Sequence, residues 1–239
     1  MKALLAIETS TPVARVALFD LETGTRRAEA SATSLRHSSN LLRLCVEVTA
    51  RADVAIAALA AIALGAGPGS FTGLRVGFAV AKGFALPFGI PLLAVSSLQA
   101  LAWDIAAVAR PGEGLLPCLD AGKGQVYAAA FASAVGGPGD RHIERRGDDF
   151  VLAPQGVGEV APAEGPFVFA GTGAVRHREA LEAALGARAR FVEVDGPSAD
   201  AVAGYAMERF ARGQFEDLNT VVPAYGRAPD ITRPKRSGP

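Results

Sequence analysis

An apolar run at residues 59–64 passes directly into Gly65-Ala-Gly-Pro-Gly-Ser-Phe-Thr-Gly-Leu-Arg-Val-Gly77, and a longer apolar run at 74–86 follows. The first run has the length of a strand and the second that of a helix, so the unit is strand, glycine-rich turn, helix. A chain built on that unit is committed to layers of helix on sheet. Glycine opens backbone angles closed to other residues and lets another group come close. A glycine-rich turn at a helix start also presents unpaired N–H groups beside the positive end of the helix dipole, which suits a phosphate. No Gly-Lys-Ser/Thr follows the glycines, so this is not a Walker loop.

The segments before the turn read as three strands and a helix. Residues 3–7 are apolar and end at Glu8-Thr9-Ser10-Thr11-Pro12; residues 13–19 alternate as a strand, 20–24 form a polar turn, and 25–33 return as a third strand. Ser34 is placed to cap a helix running to about residue 50, with Arg43 and Glu47 paired at i,i+4. After the glycine turn and its helix come a strand at 90–95 and a helix capped by Ser96-Ser97 and closed by Pro111-Gly112. The order is βββαβαβα. It begins again at Leu115: an apolar strand ends at Asp120, a partner strand spans 125–131, and a strand at 167–170 runs into Gly171-Thr172-Gly173 and a helix. A strand at 191–194 and a helix opened by Pro197-Ser198 complete the second copy. Residues 132–165 are polar and rich in Gly and Pro; at most short strands are expected there, and the matching helix is hard to find.

Two α/β lobes of this order, with small-residue turns facing a cleft, describe the actin/hexokinase/Hsp70 class of folds (actin-like ATPase, ribonuclease H-like, ASKHA), the second lobe being reduced. A single doubly wound sheet is disfavoured because short turns, not crossover helices, link the first three strands. The expected divisions are a first lobe at 1–110, a reduced second lobe at 111–228 and a polar tail at 229–239.

The 239 residues are half apolar with zero formal net charge, so no global field draws the chain to nucleic acid or membrane. The start is soon interrupted by Glu8, unlike a signal peptide, and the longest apolar stretch contains Arg75, Lys82, Pro87 and Pro91. A soluble, cytoplasmic protein with no membrane association is expected. Cys45 and Cys118 lie in apolar runs and are expected to be reduced core residues.

Two groups of residues invite functional readings. Glu8, Thr9, Ser10, Gly67, Gly69, Ser70, Gly171 and Gly173 would form a phosphate cleft, with Glu8 or Asp120 orienting a metal-bound water. The competing reading is that these turns only cap helices and let strands and helices pack closely. His37, His142 and His177 are far apart with no His-x-x-x-His pair, no Gly-x-Ser-x-Gly elbow exists, and so neither a metal site nor a nucleophile is expected. The second group lies on helices. Gly73, Gly77, Ala81 and Ala85 recur at every fourth position of a helix that also carries Leu74, Val76, Phe78, Val80 and Phe84, and the preceding helix is apolar over about half its circumference. Leu41, Leu42, Cys45, Gly73, Leu74, Gly77, Phe78, Ala81 and Ala85 are therefore the expected faces of a helical dimer interface. Alternatively the two helices and their sheet cover one another completely. The tail carries Arg233, Lys235 and Arg236 against Asp230 and reads either as a solvated end or as a tRNA backbone contact.

Ala6-Ile-Glu-Thr-Ser10, together with Gly67-Pro-Gly-Ser-Phe-Thr-Gly-Leu-Arg-Val-Gly77, closely resembles the TsaB family of tRNA threonylcarbamoyladenosine biosynthesis proteins. His37-Ser38, Asp120-Ala121, Val126-Tyr127, Pro197-Ser198-Ala199 and Pro223-Ala-Tyr-Gly-Arg227 extend the resemblance over nearly the whole chain. It departs at Gly122-Lys123, where family members often carry Arg, and at Gly226, where leucine is common. The resemblance implies an actin-like fold and a non-catalytic scaffold that pairs with the transferase TsaD through the two first-lobe helices, here about 35–50 and 73–86. It implies a homodimer through the same surface when TsaD is absent, assembly with the ATPase TsaE, and contact with tRNA only through the complex. No cofactor is required by the chain itself; a weak or shared ATP/ADP site in the complex is the most expected. The rival from another class is an autonomous actin-like ATPase or kinase.

Overall fold

The computed structural model describes residues 1–33, 38–135, 141–161 and 165–226. The first lobe contains β1 (Ala3–Glu8), β2 (Val13–Asp20), β3 (Arg26–Thr33), α1 (Ser38–Arg51), β4 (Leu59–Gly67), α2 (Phe71–Phe88), β5 (Leu92–Ser96) and α3 (Ser97–Ala106). The second repeats the order with β6 (Gly114–Gly122), β7 (Gln125–Val135), β8 (Arg141–Leu152), α4 (Val157–Val160), β9 (Phe167–Ala170), α5 (Thr172–Arg176), α6 (Arg178–Leu185), β10 (Ala189–Phe191) and α7 (Ala199–Ala211). The sheets run β3-β2-β1-β4-β5 and β8-β7-β6-β9-β10. In each, the first three strands are antiparallel and the last two join in parallel. This is a duplicated two-lobed α/β fold of the actin-like, ribonuclease H-like class, not one doubly wound sheet.

Residues of β1 alternate between two cores, as a strand buried on both faces must. Ala3, Leu5 and Ile7 join Ile62, Leu64 and Leu92 beneath α1 and α2. Leu4 and Ala6 point the other way, with Ala17, Ala61 and Ala63, and meet Ala199, Val202, Ala203 and Ala206 of α7. Alanine facing alanine lets α7 lie close to the sheet. That packing corrects the division at residue 110: α7 follows the second copy in sequence but covers the first sheet in space.

Hydroxyl caps start the long helices where local sequence places them. Ser70 accepts from Gly73 N–H at 3.2 Å, Ser96 from Gln99 N–H at 3.4 Å, and Ser198 from Ala201 N–H at 3.0 Å. Arg43 and Glu47 form the expected pair at 3.0 Å on α1. The Ser34 cap and the 229–239 tail lie outside the described residues. The missing second-copy helix is α4, a single turn. The expectation of short strands at most in 132–165 needs correction, because β8 is twelve residues long. It is an edge strand whose exposed charges, paired as Arg145–Asp149 and Arg146–Glu144, mask its alternation and protect the edge.

Candidate functional site

The carboxyl of Glu8 is wholly buried where β1 ends. It accepts from Ser10 N–H and, at 3.4 Å, from the Ser97 hydroxyl. Burial pushes this carboxyl above its ordinary value, against the hydrogen bonds of Ser10 and Ser97 and the Arg15 charge, which pull it down. Gly65 lies directly over it, and any side chain there would collide with the carboxylate. Glu8 thus ties the end of β1 to the starts of the glycine turn and α3, and has no open face for a metal-bound water.

Some donors of the glycine turn are taken by the protein, while the buried hydroxyls of Thr9 and Ser10 beside it have no hydrogen-bond partner among the described residues. Gly67 N–H donates to the Ser97 hydroxyl at 3.2 Å, Ser70 N–H to Ser10 O at 2.7 Å, and Leu74 N–H to Ser70 O at 2.9 Å. Gly67 (φ +107°) and Gly69 (φ +155°) adopt angles that disfavour other residues. A Cβ on Gly67 would come within 2.5 Å of Ala224 O, and one on Gly69 would strike Ser10. Close packing explains these glycines as fully as a phosphate does.

The second-lobe candidates form a separate group. Gly171 is seated against Cys118 O and Leu101 of α3, and Gly173 against Leu119. Asp120, at the end of β6, accepts from Arg176 at 2.7 Å and from Gly122 N–H at 3.1 Å, with His177 Nε2 at 3.6 Å. Gly122, Lys123 and Gly124 all have positive φ, forming the tight turn between β6 and β7. Among the described residues there is no group of three or more His, Cys, Asp and Glu placed to hold a metal ion. His37 lies outside them. No described helix is long and apolar enough to cross a membrane.

The proposed helical interface requires a correction. Leu41, Cys45, Gly73, Leu74, Gly77, Phe78, Ala81 and Ala85 are all buried within the first lobe, and of the nine named residues Leu42 alone is exposed, at 45%. The small-residue stripe of α2 faces its own sheet: a Cβ on Gly73 would strike Thr9 O, and one on Gly77 would lie 2.5 Å from Thr9 Oγ1 and 3.1 Å from Leu64. What comes close to the helix is the end of β1. The opposite face of α2 offers Ala79 and Gly83, where a Cβ would meet nothing within 4 Å, and Leu86, 56% exposed. On α1, exposed Leu42 is joined by Val46, 47% exposed. The spacing of Leu42 with Val46 and of Ala79 with Gly83 at i,i+4 was the available signal for this second face. Sequence reasoning also missed Phe71, Arg75 and Tyr225. Arg75 lies 3.8 Å over the Phe71 ring and donates from Nε to the Tyr225 hydroxyl at 3.1 Å.

Comparison with known proteins agrees with this architecture. Residues 31–180 match the family described as TsaD: tRNA N6-adenosine threonylcarbamoyltransferase. The tRNA threonylcarbamoyladenosine biosynthesis protein TsaB of Escherichia coli is 30% identical, over 94% of this chain and 94% of that one. The TsaB of Bacillus subtilis is 37% identical over 54% of each. Among solved structures, YeaZ from Pseudomonas aeruginosa superposes with a TM-score of 0.77 at 30% identity, covering 94% of this chain and 100% of that one. Another solved structure, of a protein described as similar to peptidase YeaZ from Pseudomonas aeruginosa, gives 0.78 at 29% identity over 95% and 100%. The chain therefore belongs to the wider family that the TsaD description covers and, within it, to the TsaB (YeaZ) family of tRNA threonylcarbamoyladenosine biosynthesis proteins.

Proposed function

We propose that this chain is a non-catalytic scaffold and activator in the synthesis of tRNA N6-threonylcarbamoyladenosine. It pairs with the TsaD transferase through the outward face of α1 and α2 and helps recruit the TsaE ATPase. It forms a homodimer through the same face when TsaD is absent, acts in the cytoplasm, and meets tRNA only through the complex. The observation that carries this reading is the contrast between the two candidate surfaces. The glycine turn is occupied by the chain's own Ser10, Ser97 and Ala224, and the Glu8 carboxylate is buried beneath it. Large apolar side chains are left exposed on α1 (Leu42 and Val46) and on α2 (Phe71, Leu86 and Phe88), and α2 also presents the exposed positions Ala79 and Gly83. A protein whose glycine turn is packed against its own chain and whose helices are left apolar is built to bind a protein, not to turn over a nucleotide.

The competing reading is an autonomous ATPase or kinase. Calorimetry of the isolated chain with Mg-ATP separates the two. Weak or no binding and no phosphate release support the scaffold; micromolar binding with turnover refutes it. The glycine turn and Asp120 then stand as inherited features of a nucleotide-binding ancestor, and no cofactor is assigned to the chain on its own. Reconstitution with TsaD, TsaE, tRNA and threonylcarbamoyl-adenylate completes the test. Modification should require this chain and survive Glu8→Gln, which removes a carboxylate that a catalyst would need.

A further inference from the structure

The chain does not stop serving the fold at the end of α7. Residues 214–226 run back over the first lobe. Glu216 N–H donates to Leu92 O on β5 at 2.9 Å, Leu218 and Val221 pack on the core beneath α1 and α2, and Ala224 N–H donates to Ala66 O at 2.8 Å. The last part of this segment, residues 222–226, then joins the lobes. On the first-lobe side the Tyr225 ring packs on Phe71 with centroids 4.9 Å apart, and its hydroxyl accepts from Arg75. On the second-lobe side Gly226 presses on Tyr127 of β7. A Cβ at 226 would lie 2.7 Å from Tyr127 Cε1 and 3.1 Å from Pro68 Cβ in the glycine turn, so this one residue touches both lobes at once.

The lobes are also attached through residues 192–198, where Asp195 pairs with Arg15 at 2.6 Å and Gly196 lies against Thr11, and through α3. Its Leu98, Leu101, Ala102 and Ile105 pack among Leu115, Leu119, Tyr127 and Phe131 of the second sheet. Residues 222–226 add a separate point of contact between the lobes, at the glycine turn. We infer that residues 222–226 are a strap that clasps the lobes beside the glycine turn and, together with α3 and residues 192–198, restrains the angle between them. The inference is independent of which partner binds α1 and α2.

The test measures the interlobe distance in the full chain. Cys45 and Cys118 are buried, with both thiols pushed up by desolvation, so spin labels go selectively onto cysteines introduced at exposed Thr23 and Glu179, one in each lobe. The strap is released in Tyr225→Ala, which removes the latch, and in Gly226→Val, which forces the segment off Tyr127. The unaltered strap should give a narrow distance distribution. Both variants should broaden or shift it, with amide exchange in β7 faster by roughly tenfold, while Val222→Ala should behave as the parent. Tyr225→Phe, which keeps the ring contact and loses the hydrogen bond, should fall between. The mutated positions lie outside both lobe cores, and far-UV circular dichroism confirms that each variant is folded; should Gly226→Val not fold, Tyr225→Ala decides. Distributions as narrow as the parent's overturn the inference.

Discussion

Replacing glycine by alanine at two positions of α2 should give effects of opposite sign. At Gly83 the added methyl meets nothing within 4 Å, so only the backbone term acts. Alanine lowers the conformational entropy of the unfolded chain, and the helix should gain about 0.5–1 kcal/mol. At Gly77 the same gain is opposed by a methyl 2.5 Å from Thr9 Oγ1 and 3.1 Å from Leu64 Cδ1. The backbone beside Thr9 is held, with Ser10 N–H bound to Glu8 and Ser10 O to Ser70 N–H, and the Thr9 side chain is wholly buried, so relief requires its hydroxyl to turn within a packed site. Overpacking a filled site costs about 1–3 kcal/mol, so Gly77→Ala should be destabilising by about 1–2 kcal/mol net. In a chain of this size each kcal/mol moves Tm by about 2–4 °C. Thermal unfolding by circular dichroism, over a dilution series that separates folding from self-association, should show Gly83→Ala above the parent and Gly77→Ala below it. Equal shifts, or a stable Gly77→Ala, would mean that the stripe does not face β1.

Glu8 and Glu113 should titrate in opposite senses. Burial holds the folded Glu8 carboxyl above its ordinary 4.5, so the stability linked to its protonated form is full below that value and is lost as pH rises through the folded pKa. Urea midpoints should therefore favour Glu8→Gln over the parent increasingly from pH 4.5 upward; no divergence would mean that the carboxylate is solvated. The Arg190 hydrogen bond holds Glu113 below 4.5, and its contribution is present above that value and lost as pH falls through the folded pKa. Arg190→Met should shrink the acid-side slope, and an unchanged slope would remove the pair from the stability account. Burial raises the Cys45 thiol to about 12 and raises Cys118 as well, so a thiol reagent should react with neither cysteine in the native chain and with both in denaturant.

How much of this was legible beforehand follows from the range of each interaction. Caps at Ser96 and Ser198, the start of α2 and the repeated strand order depend on neighbouring residues, and the chain displays them locally. The stripe of Gly73, Gly77, Ala81 and Ala85 announces that something comes close but not from which side, because the group that does so, Thr9, is remote in sequence. Likewise the apolar positions of α7 are visible in the helix, while the alanines they meet lie on β1, β2 and β4. The long strand β8 escaped because edge strands carry charge where buried strands alternate. The strap has no periodicity at all; only the backbone at Gly67 and Gly226 reveals what lies against it. The candidate cleft residues are visible in the sequence as turns, but sequence cannot show which of their groups the chain itself engages, as Ser97 engages Gly67 N–H and Ser10 O engages Ser70 N–H.

The central claim is that this chain acts through the outward face of α1 and α2. Gly83→Arg tests it most directly, because position 83 opens to solvent and the substitution leaves the first-lobe core untouched. Sedimentation velocity with TsaD should show a heterodimer for the parent and separate components for folded Gly83→Arg. Undiminished complex formation by that variant contradicts the account.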